Sequence, residues 1–336
     1  MKSKPVVAIL VDRTCQANVI SPKIRQQLDE TFDVRWPSHD GKVTPEDAKI
    51  MLRDAEGSLT SWGSPSLSAE VLAAAPKLKI AAHGAGSVKG YITDAVYDRG
   101  VIVTSAAYQL AIDVAHYALG LMIIGRKNLF PLSAAAAKGH WWDKPKEIRG
   151  SESIRNSTIG IVSASHVGRS VLKLLQPFDV TCLVYDPFIT AEKARELGAE
   201  KVELLDLCKR SEIVSLHAPS IPATNHMIGA KQFEAMQDGA LLVNTARGSI
   251  LDEAALLPHL KSGKLFAFLD VTDPEPPIEG SPLYGAPNLV LSPHIAGSTG
   301  KVRQRVGQAA AEELFRYFAG EKPQNVVTKE MLATIA

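Results

Sequence analysis

Short apolar runs rich in β-branched residues alternate along this chain with longer segments of helical periodicity. Nine runs stand out: VVAILV from Val6, LKIAAH from Leu78, VIVT from Val101, TIGIVS from Thr158, TCLVYD from Thr181, EIVSLH from Glu212, ALLVNT from Ala240, LFAFLDV from Leu265 and NLVLSPH from Asn288. Runs that are apolar throughout are typical of strands buried on both faces, and strands separated by helices pair in parallel. The sequence therefore predicts an α/β fold with parallel sheets covered by helices.

The helical segments predict two domains. Ser21 followed by Pro22 indicates a helix start, because serine caps helices and proline fits the first turn. Long apolar helices are predicted at residues 111–128 and 299–320. Because 336 residues exceed what one core usually organises, we expect two lobes with a cleft between them. The expected bounds are 1–105, completed by 298–336, for the first domain and 106–297 for the second.

Composition excludes several classes of partner. The 37 Lys and Arg residues nearly balance the 36 Asp and Glu residues, which gives no charge for attracting nucleic acid or anionic membranes. Cys15, Cys182 and Cys208 are too few and too widely spaced for a disulfide framework or a zinc site. The most apolar segment, residues 111–125, is expected to be too short to span a bilayer. We expect a cytoplasmic protein without a metal, whose partners are small molecules and copies of itself.

The stretch GIVSASHVG, residues 160–168, has the spacing of a dinucleotide-binding loop. A strand precedes it, a helical pattern follows it, and Asp186 ends the next strand, as such loops require. The helix N-terminus would bind a pyrophosphate, and Asp186 would accept hydrogen bonds from the ribose. The charge of Asp186 would repel a 2′-phosphate, so NAD is favoured over NADP.

Serines occupy the first two glycine positions of this loop. We expect Ser163 to be tolerated only with a negative φ, because glycine alone adopts positive values freely. The Ser165 hydroxyl is expected to donate to a phosphate oxygen. The pattern alone is equally compatible with an ordinary strand-to-helix turn.

Three downstream segments each place a functional side chain after a predicted parallel strand. These side chains are Arg247 in NTARGSILDEAAL, Glu275 in FLDVTDPEPP and His294 in LSPHIAGST. Arg247 can bind a carboxylate and polarise the adjacent carbonyl, and His294 can exchange a proton with that oxygen. Glu275 would orient the imidazole. The set suits interconversion of a 2-oxo acid and a 2-hydroxy acid.

Each of these residues also has a structural interpretation. Arg247 could pair with Asp252 or Glu253, Glu275 could lie in an exposed turn, and His294 could be a satisfied structural side chain. Their joint occurrence at successive strand ends favours the catalytic interpretation.

The segments NTARGSILDEAAL, LDVTDPEP and SPHIAG closely resemble the NAD-dependent D-isomer-specific 2-hydroxyacid dehydrogenases. HGAGS at 83–87, VAHYALGLM at 114–122 and LHAPSIPATNHMI at 216–228 extend the resemblance over nearly the whole chain. It implies two flavodoxin-like or Rossmann-like lobes, a substrate-binding domain at 1–105 with 298–336 and an NAD-binding domain at 106–297. It also implies a catalytic triad of Arg247, Glu275 and His294, with Asp270 beside the nicotinamide carboxamide, and a homodimer built through the NAD-binding domain. The sequence departs from the family pattern in two places. Ser163 and Ser165 replace glycines, and His116 stands where the family usually has Glu.

The loops and the resemblance together give candidate binding residues. Candidates for the cofactor are Ser165, His166, Val167, Asp186, His217, Ala218, Pro219, Thr224, Thr245, Ala246, Asp270, His294, Ala296 and Gly297. Candidates for the substrate are Trp62, Gly63, Ala85, Gly86, Arg247 and His294.

We therefore predict an oxidoreductase that uses NADH to reduce a small 2-oxo acid such as hydroxypyruvate or glyoxylate. A phosphate-bearing substrate would need a further cation, for which Arg13, Lys89 and Arg53 are candidates. An NAD-sensing dimeric scaffold, resembling the corepressors of the same family, is the alternative, and oxidation of formate or phosphite is a third. Trp141 and Trp142 are hypothesised either to reach the active site of the dimer mate or to anchor a loop.

Overall fold

The computed structural model describes residues 3–143, 145–146 and 148–335. By its internal contacts the chain forms two compact units, Met1–Leu110 with Ser298–Ala336, and Ala111–Gly297. All nine apolar runs contain strands, and the strand pairs in both sheets are parallel. The predicted α/β class with parallel sheets is confirmed. The predicted cleft between the lobes stays a prediction.

The described part of the first unit holds a five-stranded sheet. Its elements begin with β1 (Val6–Ile9), α1 (Arg13–Val19), α2 (Pro22–Thr31), β2 (Asp33–Arg35), α3 (Pro45–Leu52), β3 (Gly57–Thr60), α4 (Ala69–Ala73), β4 (Ile80–His83), α5 (Asp94–Asp98) and β5 (Ile102–Ser105). The strand order β2-β1-β3-β4-β5 is that of flavodoxin-like folds. Ser21 caps α2 by accepting a hydrogen bond from the Ile24 N–H, with Pro22 in the first turn, so this predicted helix start is confirmed.

The second unit is built on a sheet of seven described strands. Its elements are α6 (Ala107–Arg126), which begins in the first unit, α7 (Leu129–Ala137), β6 (Thr158–Val162), α8 (His166–Leu175), β7 (Thr181–Tyr185), α9 (Ala191–Glu196), β8 (Glu200–Lys201), α10 (Leu204–Arg210), β9 (Ile213–Leu216), α11 (Ala230–Ala235), β10 (Ala240–Asn244), α12 (Glu253–Lys261), β11 (Leu265–Leu269) and β12 (Leu289–Leu291). The order β12-β11-β10-β9-β6-β7-β8 reverses beside β6, which is the Rossmann arrangement. Ligands of such sheets bind outside the carboxyl ends of the strands at this reversal.

Hydrophobic cores cover both faces of the first sheet. Along β1 and the next residue, Val7 and Ile9 pack in one core while Ala8 and Leu10 pack in the other. The last long helix, α13 (Lys301–Phe318), contacts β3, β4 and β5 of this sheet. A Cβ on Gly307 of α13 would lie 2.0 Å from the Val19 carbonyl oxygen, so glycine allows α13 to approach the end of α1.

Helix α6 corrects one expectation. It has 20 residues, and by length and composition it is the one helix in the described part of the chain that could cross a membrane, so the prediction of a segment too short for this is wrong. Ala115, Ala118, Leu121 and Met122 of this helix are buried in the core of the second unit. Core packing therefore accounts for the apolar character of these four positions.

Candidate active site

The loop after β6 keeps a left-handed turn without a glycine. Ser163 has φ +80°, so the expectation of a negative φ is wrong. Its hydroxyl donates to Asp186 Oδ2 at 3.2 Å, and the Ala164 N–H donates to the same oxygen at 2.8 Å. These hydrogen bonds offset part of the cost of a non-glycine residue in this region, which is about 1–2 kcal/mol.

Ser165 acts as the N-cap of α8. Its Oγ accepts a hydrogen bond from the Gly168 N–H at 3.3 Å and donates to the His217 carbonyl oxygen at 2.8 Å. The hydroxyl proton is thus directed to the carbonyl oxygen of the neighbouring loop, and the expected donation to a phosphate oxygen stays a prediction.

Gly168, at the third glycine position, has no room for a side chain. A Cβ there would lie 2.0 Å from the Ser163 carbonyl oxygen. This glycine lets α8 start directly against the loop, and the N–H groups of His166 and Val167 in the first turn have no intrahelical acceptor. These features fit a dinucleotide pyrophosphate, because free N–H groups at a helix N-terminus bind phosphate oxygens.

Asp186 follows β7 and is buried. Besides the two donors from the loop after β6, it accepts the Phe188 N–H at Oδ1 over 2.8 Å. A carboxylate offers about four acceptor positions, so one remains for a ribose hydroxyl. Asp186 is therefore both the organiser of the loop and a candidate ligand for the cofactor.

The loop after β9 holds a buried imidazole. Burial lowers the pKa of His217 to about 3, so the ring is neutral at physiological pH, and its Nε2 lies 3.0 Å from Ser215 Oγ. Thr224 Oγ1 donates to the Pro219 carbonyl oxygen at 2.5 Å. Ala218 is buried between these residues, so this predicted cofactor loop is fixed from within.

Arg247 lies on a loop that is held against the loop of Glu275. Asn244, at the end of β10, accepts the Ala246 N–H and donates to the Arg247 carbonyl oxygen at 2.9 Å. A Cβ on Gly248 would lie 2.0 Å from the carbonyl carbon of Thr272. Glycine is therefore required where the two loops touch.

The charge of Arg247 is not neutralised by the acids that follow it in sequence. Asp252 accepts the Ala255 N–H as the N-cap of α12, and Glu253 accepts the Asp273 N–H at 2.9 Å. Arg247 Nη1 donates to the Ala246 carbonyl oxygen at 2.6 Å. Burial lowers the pKa of Arg247 and the charge of Glu275 raises it, so Glu275 is an electrostatic partner of Arg247.

His294 and Glu275 form a close pair. His294 Nδ1 lies 2.6 Å from Glu275 Oε1, and both side chains are more than 40% exposed. His294 has φ +52°, and its N–H donates to the Asp270 carbonyl oxygen at 2.9 Å. For a residue other than glycine this backbone region costs about 1–3 kcal/mol and is common at functional sites. The pair leaves Nε2 of the imidazole available to a ligand.

Asp270, after β11, holds the loop that carries His294. Its Oδ1 accepts from Ser292 Oγ at 2.5 Å and from the Ile295 N–H at 3.0 Å, and its Oδ2 accepts from the Ala296 N–H at 2.9 Å. Ala296 and Gly297, at the end of this loop, are buried. Thr245 precedes Arg247 by two residues. Its buried Oγ1 has no hydrogen-bond partner among the described residues.

The predicted substrate residues of the first unit lie on two loops that contact each other. Trp62 and Gly63 follow β3, and Ala85 and Gly86 follow β4. Ser61 Oγ donates to the Gly84 carbonyl oxygen at 2.6 Å, which joins the loops at the carboxyl edge of the first sheet.

Two residues that organise the site were not predicted. Asn244 was part of a recognised motif, but only the structure shows that its amide shapes the Arg247 loop. Tyr117 Oη donates to Ser292 Oγ at 3.1 Å across 175 positions of sequence, a separation that leaves no local signal. All three cysteines are free thiols, and no group of three or more possible metal ligands occurs among the residues that the structure describes.

Comparison with known proteins gives a consistent result. Residues 119–296 match the family model described as D-isomer specific 2-hydroxyacid dehydrogenase, NAD binding domain. A D-3-phosphoglycerate dehydrogenase of Methanocaldococcus jannaschii is 33% identical over 85% of this chain, which spans only 54% of that protein. A glyoxylate reductase of Korarchaeum cryptofilum is 33% identical over 86% of this chain and 88% of its own length. The crystal structure of the TT0316 protein from Thermus thermophilus superposes with a TM-score of 0.77 at 29% identity, covering 96% of this chain and all of that one.

The family model covers more than half of the chain, and the glyoxylate reductase matches over most of both lengths. This chain belongs to the D-isomer specific 2-hydroxyacid dehydrogenase family.

Proposed function

We propose that this chain is an NAD(H)-dependent oxidoreductase that interconverts a small 2-oxo acid and its D-2-hydroxy acid. The observation that carries the proposal is the 2.6 Å contact between His294 Nδ1 and Glu275 Oε1. The loop that carries Glu275 also contacts the loop that carries Arg247. A histidine held by a carboxylate beside an arginine suits proton transfer to a carbonyl oxygen next to a carboxylate.

Each side chain has a separate role in this proposal. Glu275 fixes the imidazole ring through Nδ1, so that His294 donates a proton from Nε2 during reduction and accepts one during oxidation. Arg247 binds the substrate carboxylate with its planar fork and polarises the adjacent carbonyl. NADH, when bound, supplies the hydride. The N–H groups at the start of α8, Asp186 and Asp270 are the residues that would hold the cofactor.

Asp186 provides a test of cofactor choice. We expect Asp186→Ala to weaken NADH binding at least about tenfold, because three donors lose their acceptor, and to reduce discrimination against NADPH. Dissociation constants for NADH and NADPH, measured by nucleotide fluorescence, check both effects. Ser163→Gly is the matched control, because glycine adopts the same positive φ and leaves the Asp186 charge in place. An unchanged NADH-to-NADPH ratio in Asp186→Ala would assign the discrimination to another group.

Within this class we propose glyoxylate or hydroxypyruvate as the substrate. The similarity to the glyoxylate reductase over 88% of its length supports a small acid. Two of the cations considered for a phosphate already have partners, since Arg13 pairs with Asp40 at 3.1 Å and Lys89 donates to the Ile335 carbonyl oxygen at 2.6 Å.

The experiment is the loss of NADH absorbance with glyoxylate, hydroxypyruvate, pyruvate, phenylpyruvate, oxaloacetate and 3-phosphohydroxypyruvate. We expect turnover of one or both of the first two. Preference for the phosphorylated acid would overturn the substrate assignment and direct attention to Arg13 and Arg25, which line a cavity of about 390 Å³ with Trp36. NADH binding without turnover of any acid would favour the scaffold alternative.

We also propose a cytoplasmic homodimer formed through the second unit. Trp141 and Trp142 are 72% and 97% exposed, which supports contact with a partner rather than anchoring of their own loop. The hypothesis that one of them reaches the active site of the mate stays a prediction. The molar mass in solution, measured by light scattering, tests the dimer.

A further inference from the structure

Three side chains connect the two segments through which the backbone passes between the units. The first passage lies within α6, at Leu110 and Ala111, and Tyr117 follows it two turns later. Tyr117 Oη donates to Ser292 Oγ, which precedes the second passage. Ser292 Oγ in turn donates to Asp270 Oδ1. Two distant segments are thereby joined inside the second unit at one buried carboxylate.

The direction of these hydrogen bonds gives Tyr117 a specific effect. A serine hydroxyl has one proton and can point it to any nearby acceptor. Because Ser292 donates its one proton to Asp270 at 2.5 Å, its oxygen accepts the Tyr117 hydroxyl proton. Tyr117 thus polarises the Ser292 hydroxyl and strengthens its hydrogen bond to Asp270 without touching Asp270.

Asp270 is close to saturated by protein donors. It accepts from Ser292, Ile295 and Ala296, which leaves about one of its four acceptor positions. The direction in which this last acceptor position points depends on how the three donors hold the carboxylate. The carbonyl oxygen of Asp270 also accepts the His294 N–H, so the same residue fixes the backbone of the proposed proton donor.

We propose that Tyr117 is a positioning residue for the nicotinamide end of NADH, acting through Ser292 on Asp270; this inference rests on the proposed function. Tyr117 polarises the Ser292 hydroxyl, Ser292 orients the Asp270 carboxylate, and the remaining acceptor position of Asp270 receives the carboxamide. Hydrogen bonds in a partly buried network strengthen one another, so loss of the outer hydroxyl reaches the carboxylate.

The test compares single-hydroxyl deletions in the full chain. Tyr117→Phe is expected to raise the dissociation constant for NADH about three- to tenfold and to raise KM for NADH equally, with kcat at saturating NADH within about twofold. Ser292→Ala is expected to weaken NADH binding at least as much, and Ser292→Thr, which keeps a hydroxyl, to restore most of it. The double variant Tyr117→Phe/Ser292→Ala should resemble Ser292→Ala alone, because Tyr117 acts through Ser292.

Tyr284→Phe is the matched control. Tyr284 lies in the same unit, and its Oη donates to the Pro277 carbonyl oxygen at the same distance, 3.1 Å. We expect it to leave NADH affinity within twofold and, because Tyr284 is 52% exposed, to cost less thermal stability than Tyr117→Phe. Equal losses of NADH affinity in both variants, no loss in Tyr117→Phe, or additive effects in the double variant would each overturn the proposal.

The affinity measurements need no substrate and therefore separate two possible failures. If wild type binds NADH but reduces no oxo acid, the proposed function fails while the role of Tyr117 in binding is still decided by the dissociation constants. If oxo acids are reduced and Tyr117→Phe binds NADH like wild type, only the positioning role is wrong.

Discussion

His294→Gln is expected to lower kcat by about 10²- to 10⁴-fold while NADH binding changes little. Glutamine has a similar size and retains hydrogen-bonding capacity, but it cannot donate and recover a proton at neutral pH. The 2.6 Å contact with Glu275 shows that this imidazole is already oriented, so its loss removes an organised proton donor. Single-turnover rates with NADH and the preferred oxo acid, together with NADH titration by fluorescence, provide the measurement.

Glu275→Gln is the companion variant for this prediction. It keeps the shape of the partner and removes its charge, so we expect a smaller loss of kcat than in His294→Gln, because the imidazole remains in place. A His294→Gln enzyme with normal turnover would contradict the proton-transfer role. If kcat falls further in Glu275→Gln than in His294→Gln, the carboxylate rather than the imidazole is the main proton-transfer group.

Gly248→Ala is expected to produce the second large effect. The added Cβ would lie 2.0 Å from the carbonyl carbon of Thr272, a backbone atom that cannot rotate away. The loops of Arg247 and Glu275 must therefore separate, which should lower stability by about 3 kcal/mol. A shift of about 1 Å between these groups should also lower kcat/KM about 100-fold. Urea unfolding and steady-state kinetics measure the two effects separately.

Gly120→Ala is the control for Gly248→Ala. Gly120 lies inside α6, and apart from the backbone of this helix no atom of the described residues lies within 4 Å of an added Cβ. Alanine should therefore raise helix stability by about 0.5–1 kcal/mol and leave kcat/KM unchanged. Normal kinetics in Gly248→Ala would show that the contact between the loops is not needed to align Arg247 with Glu275.

The sequence predicted the parts of this molecule that follow from local chemistry. Apolar β-rich runs predicted nine strands. Because the carboxyl ends of parallel strands lie at one edge of the sheet, Glu275 and His294, which follow neighbouring strands, could be expected to meet. Strand β2, with the polar sequence DVR, gave no such signal, and neither did the two-residue β8.

Features that depend on tertiary contacts could not be predicted in this way. The positive φ of Ser163 depends on Asp186, 23 positions later, which accepts its hydroxyl. The proton of Ser165 is directed to a carbonyl oxygen of another loop, 52 positions away. Local rules gave the wrong φ for Ser163 because they considered the cost of the backbone conformation and omitted the distant acceptor.

The three glycine positions of the loop after β6 differ in how strictly they require glycine. The first accepts serine because Asp186 compensates for it, and the second accepts serine because that residue caps α8. The third cannot change, since any Cβ at Gly168 would meet a backbone oxygen at 2.0 Å. A search pattern that demands all three glycines would therefore miss nucleotide-binding loops of this kind, whereas one that combines the third glycine with the distant acid would find them.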